Sequence, residues 1–170
     1  MQIKGIRIGV VVIVTLFILG SLLLAQYIWE TRGIYKPLLQ SVESVEGVNT
    51  VTIEKEKKNL VIKIELEPVN NFALIYKEIE DIINNRLAED SYQIKIKDKR
   101  NEILTSSFLS LSSFIQEGIQ TGRYSLMEEQ IKNKASSLEL DHVNVLVDAE
   151  NIYLQLHSGE NYLYEVIPRK

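Results

Sequence analysis

Residues 143–167 have the sequence VNVLVDAENIYLQLHSGENYLYEVI, and this stretch decides the fold class. Apolar and polar side chains alternate within three segments, a period-2 pattern that is typical of β-strands with two different faces. Polar turns at residues 148–151 and 158–161 separate the segments, and loops this short join antiparallel neighbours. The end of the chain is therefore predicted to be a three-stranded antiparallel meander.

Two helical patterns precede the meander. Apolar residues of the first recur at steps of three or four, which places them on one helix face: Leu104, Phe108, Leu111, Ile115 and Ile119. Gly122 can end this helix, and Ser125 with Glu128 has the spacing of a capping box for the next one. Residues 99–170 are therefore predicted to form an ααβββ lobe.

Residues 38–98 carry a different order of elements. A short helical pattern ends near Gly47, and two alternating segments then flank a Lys-rich turn, as in a β-hairpin. Asn70 or Asn71 can cap the helix that follows, and alternation at residues 92–97 predicts a third strand. The predicted fold class is α+β, with two small antiparallel-sheet lobes, ββαβ and then ααβββ. The alternative is that both lobes share one continuous sheet.

Residues 1–29 are predicted to be a leader and a single transmembrane helix. From Ile8 to Trp29 there are 22 residues without a charge, and a helix of that length spans about 33 Å, close to the ~30 Å hydrocarbon core of a bilayer. Basic residues precede the apolar run, and aromatic residues lie at its far end, where their rings favour the headgroup zone. Residues 30–37 follow as a predicted connector.

An uncleaved signal-anchor is predicted, because Leu23 stands where a cleavage site after Ala25 would need a small residue. Basic residues flank the apolar run almost equally, so the positive-inside rule decides little. The short leader favours insertion with the amino terminus inside, which makes a single-pass protein of the cell membrane with residues 30–170 outside the cytoplasm. A membrane-tethered cytoplasmic domain is the alternative.

The composition excludes several classes of protein. With 45% hydrophobic and 25% charged residues, the chain is neither collagenous nor wholly disordered. Because it has no cysteine, disulfide frameworks, thiolate zinc sites and cysteine nucleophiles are excluded. Without Lys4 and Arg7, 17 basic and 23 acidic side chains remain, and this net charge of −6 disfavours nucleic-acid binding. Lys55, Lys57 and Lys58 alternate with acidic residues and predict a solvated hairpin tip.

No motif indicates catalysis, a cofactor or a metal. Phosphate loops, dinucleotide fingerprints, zinc-protease helices, nucleophile elbows and calcium loops do not occur in the sequence. His142 and His157 are the only histidines, and with Asp141, Asp148 and Glu150 they could build a metal site across neighbouring strands. Residues of these types are also common at strand ends and turns, so surface histidines are favoured over a metal site.

Two further groups of polar side chains resemble parts of catalytic sites. A serine nucleophile needs a base within reach, and no motif supplies one for residues 105–113, whose small side chains we interpret as a face for close helix packing. Glu78, Glu80 and Asp81 could form an acid–base pair, but their positions alternate with the apolar stripe and predict exposure to solvent. No catalytic, cofactor-binding or metal-ligating residue is therefore assigned, and the chain is not expected to be an enzyme.

The meander holds the strongest candidate for an interface. Tyr153 and Gln155 share a strand face that points away from the helices of their own lobe. In the next strand, either Tyr162 and Tyr164 or Leu163, Glu165 and Ile167 must share that face, because alternate residues point opposite ways. Aromatic residues are enriched at protein interfaces. We predict that Tyr153, Gln155, Tyr162 and Tyr164 form a surface for a protein partner or for self-association, unless the other lobe covers them. The alternative is ordinary core packing.

A resemblance rests on three features together: a single N-terminal span, a helix with Leu39 and Val42, and the step Val45-Glu46-Gly47-Val48 before a hairpin. In these features residues 38–98 resemble the ring-building modules of bacterial secretion and sporulation membrane complexes, and residues 100–170 match no family. The resemblance implies self-assembly or docking without catalysis. The high use of Ile, Lys, Glu and Asn is similar to that of low-GC Gram-positive bacteria.

We therefore expect a non-enzymatic membrane protein of the bacterial cell envelope, whose α+β domain acts as an interaction or scaffolding module. Its expected partners are the lipid bilayer and either another protein or a second copy of the chain, without nucleic acid. The alternative is an envelope-bound ligand sensor or hydrolase with a site between the lobes. A deep cleft that gathers His142 or His157 with carboxylates would favour that alternative.

Overall fold

The computed structural model describes residues 2–3, 6–56, 59–88 and 91–170, without the side chains of residues 2–3, 6–8, 27 and 30–32. The predictions for Lys4, Lys57 and Lys58, and those for the side chains of Arg7 and Ile8, therefore lie outside the described residues.

The N-terminal region is mostly helical. Two short strands, β1 (Gln2–Ile3) and β2 (Ile6–Arg7), pair antiparallel, and α1 (Ile8–Ile28) begins directly after them. The window Gly9–Gln26 is apolar and long enough to cross a membrane, and none of it is buried against the rest of the protein. By length and composition, α1 suits a membrane anchor and equally a signal sequence.

The connector predicted for residues 30–37 is helical. A π-helix (Trp29–Tyr35) leads into α2 (Lys36–Glu43). Pro37 lies in the first turn of α2, where the backbone N–H that proline lacks would have no partner within the helix. Leu38 and Val42 are buried in the first lobe. The apolar helix therefore joins the folded region through helical turns, without an irregular linker.

The first lobe has a mixed sheet. The hairpin of β3 (Val48–Glu56) and β4 (Asn59–Leu66) is antiparallel, as predicted. Next follows α3 (Phe72–Asn84), capped by Asn71, whose side chain accepts a hydrogen bond from the Leu74 N–H at 3.3 Å. The last strand, β5 (Tyr92–Lys97), pairs with β4 in parallel. This pairing differs from the antiparallel sheet predicted, because α3 crosses over the sheet and returns the chain to the end where β4 began.

The second lobe has the predicted ααβββ order. Helices α4 (Glu102–Thr121) and α5 (Tyr124–Ala135) precede β6 (His142–Val147), β7 (Asn151–Ser158) and β8 (Asn161–Pro168). The three strands form an antiparallel meander in the order β6-β7-β8. The α+β class is confirmed, and the two three-stranded sheets are separate.

Helices α4 and α5 meet at a tight corner. Gly122 ends α4 with a φ of +70°, a left-handed conformation that favours glycine. The predicted capping box of Ser125 and Glu128 is wrong: the N-cap residue is Arg123, two residues earlier, and it makes no side-chain cap hydrogen bond. The left-handed turn reverses the chain so abruptly that the new helix starts before Ser125. Gly118 allows the helices to touch, since a Cβ there would lie 2.7 Å from the Met127 Sδ atom.

The second sheet lies between two layers, which are the helices α4 and α5 on one face and the first lobe on the other. On one face, Ile152, Leu154 and Leu156 join the core formed with α4 and α5. On the other face, Tyr153 and residues of β8 join the core of the first lobe. The first lobe therefore covers the face of the second sheet that the sequence analysis considered as an interface.

Candidate functional site

The four residues predicted as an interface are buried inside the molecule. The solvent-exposed fractions are 2% for Tyr153, 2% for Gln155, 9% for Tyr162 and 2% for Tyr164. All four face the first lobe, so the alternative that the other lobe covers them is the one observed. The prediction of an open patch at these residues is corrected: they form a contact within the chain, not a surface open to a partner.

Hydrogen bonds across this contact satisfy backbone groups of residues 66–72, the segment between β4 and α3. Tyr164 Oη accepts from the Val69 N–H at 2.9 Å, and Tyr162 Oη donates to the Leu66 carbonyl at 2.7 Å. Gln155 Oε1 accepts from the Phe72 N–H at 3.1 Å, while its Nε2 donates to the Val69 carbonyl at 2.6 Å. The buried polar side chains of the second sheet thus make the hydrogen bonds that water would otherwise make to the backbone of this loop in the first lobe.

Aromatic rings fill the rest of the contact. Phe72 stacks on Tyr164 with ring centroids 4.6 Å apart and an interplanar angle of 15°. Tyr153 meets Phe72 edge-on at 6.4 Å and Tyr76 at 5.7 Å. Burial raises the pKa of Tyr164 to about 12, so its hydroxyl stays neutral and can both donate and accept. The contact is therefore a packed aromatic cluster with its polar atoms paired, as in a protein core.

Asp148 ties the β6–β7 turn to α3. Its Oδ2 accepts from the Tyr153 hydroxyl at 2.9 Å and lies 2.8 Å from the Lys77 Nζ atom. Burial alone would raise the pKa of Asp148, but the hydrogen bonds from Lys77, Asn151 and other donors outweigh it and lower the pKa. Asp148 therefore serves as an anion that joins the lobes.

The two histidines lie on neighbouring strands, as the sequence suggested. His142 pairs with His157 across β6 and β7, with ring centroids 5.6 Å apart. The Nε2 atom of His157 lies 3.0 Å from Gln155 Nε2, which already donates to the Val69 carbonyl. Burial, followed by the nearby His142, lowers the pKa of His157. In the described part of the chain, no group of three or more His, Asp or Glu side chains could hold a metal ion.

The serine-rich face of α4 carries no catalytic arrangement in its described contacts. The hydroxyls of Ser106, Ser110 and Ser112 donate to carbonyls of the preceding helical turn, at 3.0, 2.9 and 2.7 Å. Ser107 is buried against the core. The interpretation as a face for close helix packing fits only Ser107, because Ser106 and Ser110 are exposed to solvent.

A cavity of about 580 Å³ lies where α3 and β5 of the first lobe meet the β6–β7 turn of the second. Its lining is rich in carboxylates and aromatic rings: Tyr76, Glu80, Asp81, Asn84, Tyr92, Ile94 and Glu150. Of the three residues considered as an acid–base pair, Glu80 and Asp81 line this cavity, and Glu78 is exposed elsewhere on α3. Neither histidine lines this cavity.

Sequence reasoning missed Tyr76, Tyr92 and Glu150 as members of one site. Tyr76 stands on the apolar stripe of α3, and a tyrosine there signals a hydroxyl that must reach a partner or an opening. Glu150 lies more than 65 residues after the end of α3 in the sequence, and only the packing of the lobes brings it to α3. Comparison of the chain with protein-family models, with curated proteins and with solved structures finds no match.

Proposed function

We propose that this chain is a single-pass membrane protein whose α+β domain is a non-enzymatic interaction or scaffolding module outside the cytoplasm. One observation carries the proposal: α1 leaves its apolar side chains uncovered on every side, with Phe17 77% exposed. Apolar patches of this extent are rare on soluble monomers. A lipid bilayer is the surrounding in which a charge-free helix of this length is stable.

The direct connection of α1 to the domain supports a positioning role. The π-helix and α2 continue the chain without an irregular loop, and Leu38 and Val42 fix α2 in the first lobe. A domain joined this closely stays near the membrane surface. Confinement to a surface raises the effective concentration of partners, so weak contacts become sufficient. Self-assembly, which the resemblance to ring-building modules implies, would use this effect.

Membrane anchoring is tested by alkaline carbonate extraction of cells that express the full chain with a C-terminal tag. We expect the protein to remain in the membrane pellet at its full mass, because α1 is an uncleaved anchor. Deletion of residues 1–29 should release it, and that variant is the matched control. A shortened, soluble product from the full chain would identify α1 as a cleaved signal sequence and contradict the proposal.

Orientation is tested with reporter fusions after Lys170. We expect a reporter that works only outside the cytoplasm to be active, because the short leader favours an inside amino terminus. Activity of a cytoplasmic reporter alone would reverse the topology and favour a membrane-tethered cytoplasmic adaptor.

The cavity between the lobes favours a second candidate function, that of a membrane-bound ligand sensor. Ligand sites often occur where two parts of a structure meet, and a volume of 300–1,000 Å³ is common among them. The cavity of about 580 Å³ falls in that range. Hydrolysis of cell-wall or ester substrates by the full chain, abolished by a change of Glu80 or Asp81, would contradict the non-enzymatic proposal.

A further inference from the structure

The Gln155 side chain lies in the contact between the lobes, and its amide has a fixed orientation. Its Oε1 atom accepts a hydrogen bond from the Phe72 N–H, and its Nε2 atom donates to the Val69 carbonyl. If the amide were turned over, its oxygen would face the Val69 carbonyl and its nitrogen would face the Phe72 N–H. Both backbone groups are buried, so this arrangement would leave them unpaired at a high cost. The amide therefore keeps one orientation while the lobes are in contact.

This fixed amide determines where the His157 ring carries its hydrogen. An amide nitrogen has two hydrogens and only donates. One hydrogen of Gln155 Nε2 goes to the Val69 carbonyl, and the other faces the His157 Nε2 atom, 3.0 Å away. The His157 Nε2 atom therefore accepts, and the neutral ring has its hydrogen on Nδ1. A protonated ring would place an N–H donor against another donor, so the contact is compatible only with the neutral ring.

The charged groups on and before β6 also oppose a positive ring at His157. The His142 ring lies 5.6 Å away and gains a positive charge of its own on acidification. The Asp141 carboxylate favours the charged form of His157, but its Oδ2 atom accepts from the Gly159 N–H at 2.5 Å. Burial, followed by the effect of His142, outweighs Asp141 and lowers the pKa of His157.

The other neighbours of His157 do not stabilise a positive charge. On β8, the rings of Tyr162 and Tyr164 lie 6.2 and 6.1 Å from the imidazole. Burial raises the pKa of both tyrosines, so they stay neutral. Glu67 of the first lobe and Asp98 act on Tyr162, and among the described residues neither contributes to the lowered pKa of His157. No nearby carboxylate therefore offsets the burial of a charged ring.

Each lobe can keep its own core if this contact loosens. Helices α4 and α5 pack on the opposite face of the second sheet, against Ile152, Leu154 and Leu156. The core of the first lobe is built by α2, α3 and its own sheet, and the tyrosines of the second lobe join it from outside. Parts of a protein that have separate cores can open locally without global unfolding.

We propose that His157 and Gln155 form a pH-sensitive latch between the lobes: acidification protonates His157, breaks the Gln155 hydrogen bonds to Val69 and Phe72, and loosens residues 69–72 from the second sheet. The latch is closed at pH values above about 6.5, the ordinary pKa of histidine, and weakens as pH falls below it. It is a property of the folded domain, so it goes beyond the proposed membrane role and does not depend on orientation.

The first test is the tautomer of His157 at pH 7.5. Chemical shifts of the ring nitrogens, measured by NMR on the full chain in detergent micelles, distinguish a nitrogen with hydrogen from one without. We expect hydrogen on Nδ1 and none on Nε2. A ring with hydrogen on Nε2 would overturn the proposal. This test needs no substitution, so it is decisive even if a variant fails to fold.

Hydrogen exchange of the Phe72 amide measures the opening of the latch. Its protection factor, which corrects for the intrinsic effect of pH on exchange, should fall about fivefold between pH 7.5 and 5, the effect of one lost hydrogen bond. The amides of Ile79 in α3 and Ile115 in α4 lie in the two cores and should keep their protection. An equal fall at all three amides would indicate global unfolding and overturn the proposal.

Two histidine variants assign the effect. His157→Gln keeps a side-chain acceptor but does not titrate, so the fall at Phe72 should disappear. The matched control is His142→Gln, the same change at an exposed position of the neighbouring strand. The fall should remain in this control and begin at a higher pH, because the charge of His142 no longer opposes protonation of His157. Persistence of the fall in His157→Gln, or its loss in His142→Gln, would overturn the proposal.

Discussion

The two three-stranded sheets carry the same alternating pattern, but their surroundings differ. Outward positions of the first sheet hold charged residues that pair across strands, as Lys63 does with Glu54 at 2.7 Å and Lys97 with Glu65 at 2.9 Å. The corresponding positions of the second sheet hold tyrosine, glutamine and histidine, and they lie beneath the first lobe. Alternation of apolar and polar residues shows that the two faces of a sheet differ, but it does not show that one of them is exposed to solvent.

The type of polar residue separates the two cases. Lysine and glutamate are almost never fully buried unless paired, because their charges are costly to desolvate. Tyrosine and glutamine lose less on burial when every polar atom finds a partner, as Gln155 does with the Phe72 N–H and the Val69 carbonyl. A strand face rich in tyrosine can thus be a buried contact that looks like a surface.

Tyr153→Ser should have the largest effect on the contact between the second sheet and the first lobe. Tyr153 is 2% exposed, and its ring packs on Phe72 and Tyr76. The void left by the substitution should therefore lower the free energy of unfolding by about 3–5 kcal/mol, as for other buried aromatic truncations. Denaturant unfolding of the full chain in detergent measures it. Tyr153→Phe keeps the ring and should lose much less. A cost of about 0.5 kcal/mol or less for the serine variant would place Tyr153 on the surface.

The same substitution in each sheet gives a direct comparison. Gln155→Leu leaves the Phe72 N–H and the Val69 carbonyl buried without their side-chain partner, so we expect a loss of about 2–3 kcal/mol. Gln93→Leu, at an exposed position of β5, should change unfolding free energy by no more than about 0.5 kcal/mol. Equal effects at both positions would mean that the two sheets do not differ in the way described.

Acidification should weaken the contact at His157. Burial, then His142, lower the pKa of this imidazole, while Asp141 opposes them, so the folded state prefers the neutral ring. The stability it contributes is present above the unfolded pKa of about 6.5 and is lost as pH falls below it toward the folded value. The Nε2 atom, once protonated, would also face the Gln155 amide as a second donor.

Melting temperatures between pH 7.5 and 5 measure this effect, which should be smaller than those of the core variants. The decrease should shrink in His157→Gln, which cannot titrate. Asp148 does not interfere, because its lowered pKa moves its contribution to pH values below 3.8. An unchanged pH dependence in His157→Gln would contradict the role given to this histidine.

The smallest effect is expected on the first sheet's outer face. Lys63→Ala removes the ion pair with Glu54, both side chains being more than 40% exposed. Exposed pairs of this kind contribute about 0–1 kcal/mol and are screened by salt. Unfolding at low and high salt measures the contribution. A loss comparable to that of Gln155→Leu would show that this face, too, is covered.

Local patterns were enough to predict most elements. Period-2 alternation identified the meander and the β3–β4 hairpin, and the stripe of α4 identified that helix. The cap of α3 was predicted at Asn70 or Asn71, of which Asn71 is the one observed, and Gly122 marked the end of α4. These signals work because they depend on residues close in sequence. The start of α5 was missed because the left-handed Gly122 lets a helix begin without a side-chain cap.

By itself, the sequence determined the α+β class, the order of elements and the long charge-free helix, since helical and strand periodicity and hydropathy are properties of neighbouring residues. Only the tertiary structure decided that β5 runs parallel to β4, that the tyrosine face of the meander is covered, and that Glu150 lines the same cavity as Glu80. Each of these depends on contacts between residues far apart in the chain. Periodicity shows that a face is to be buried, but the shape of the whole molecule decides what buries it.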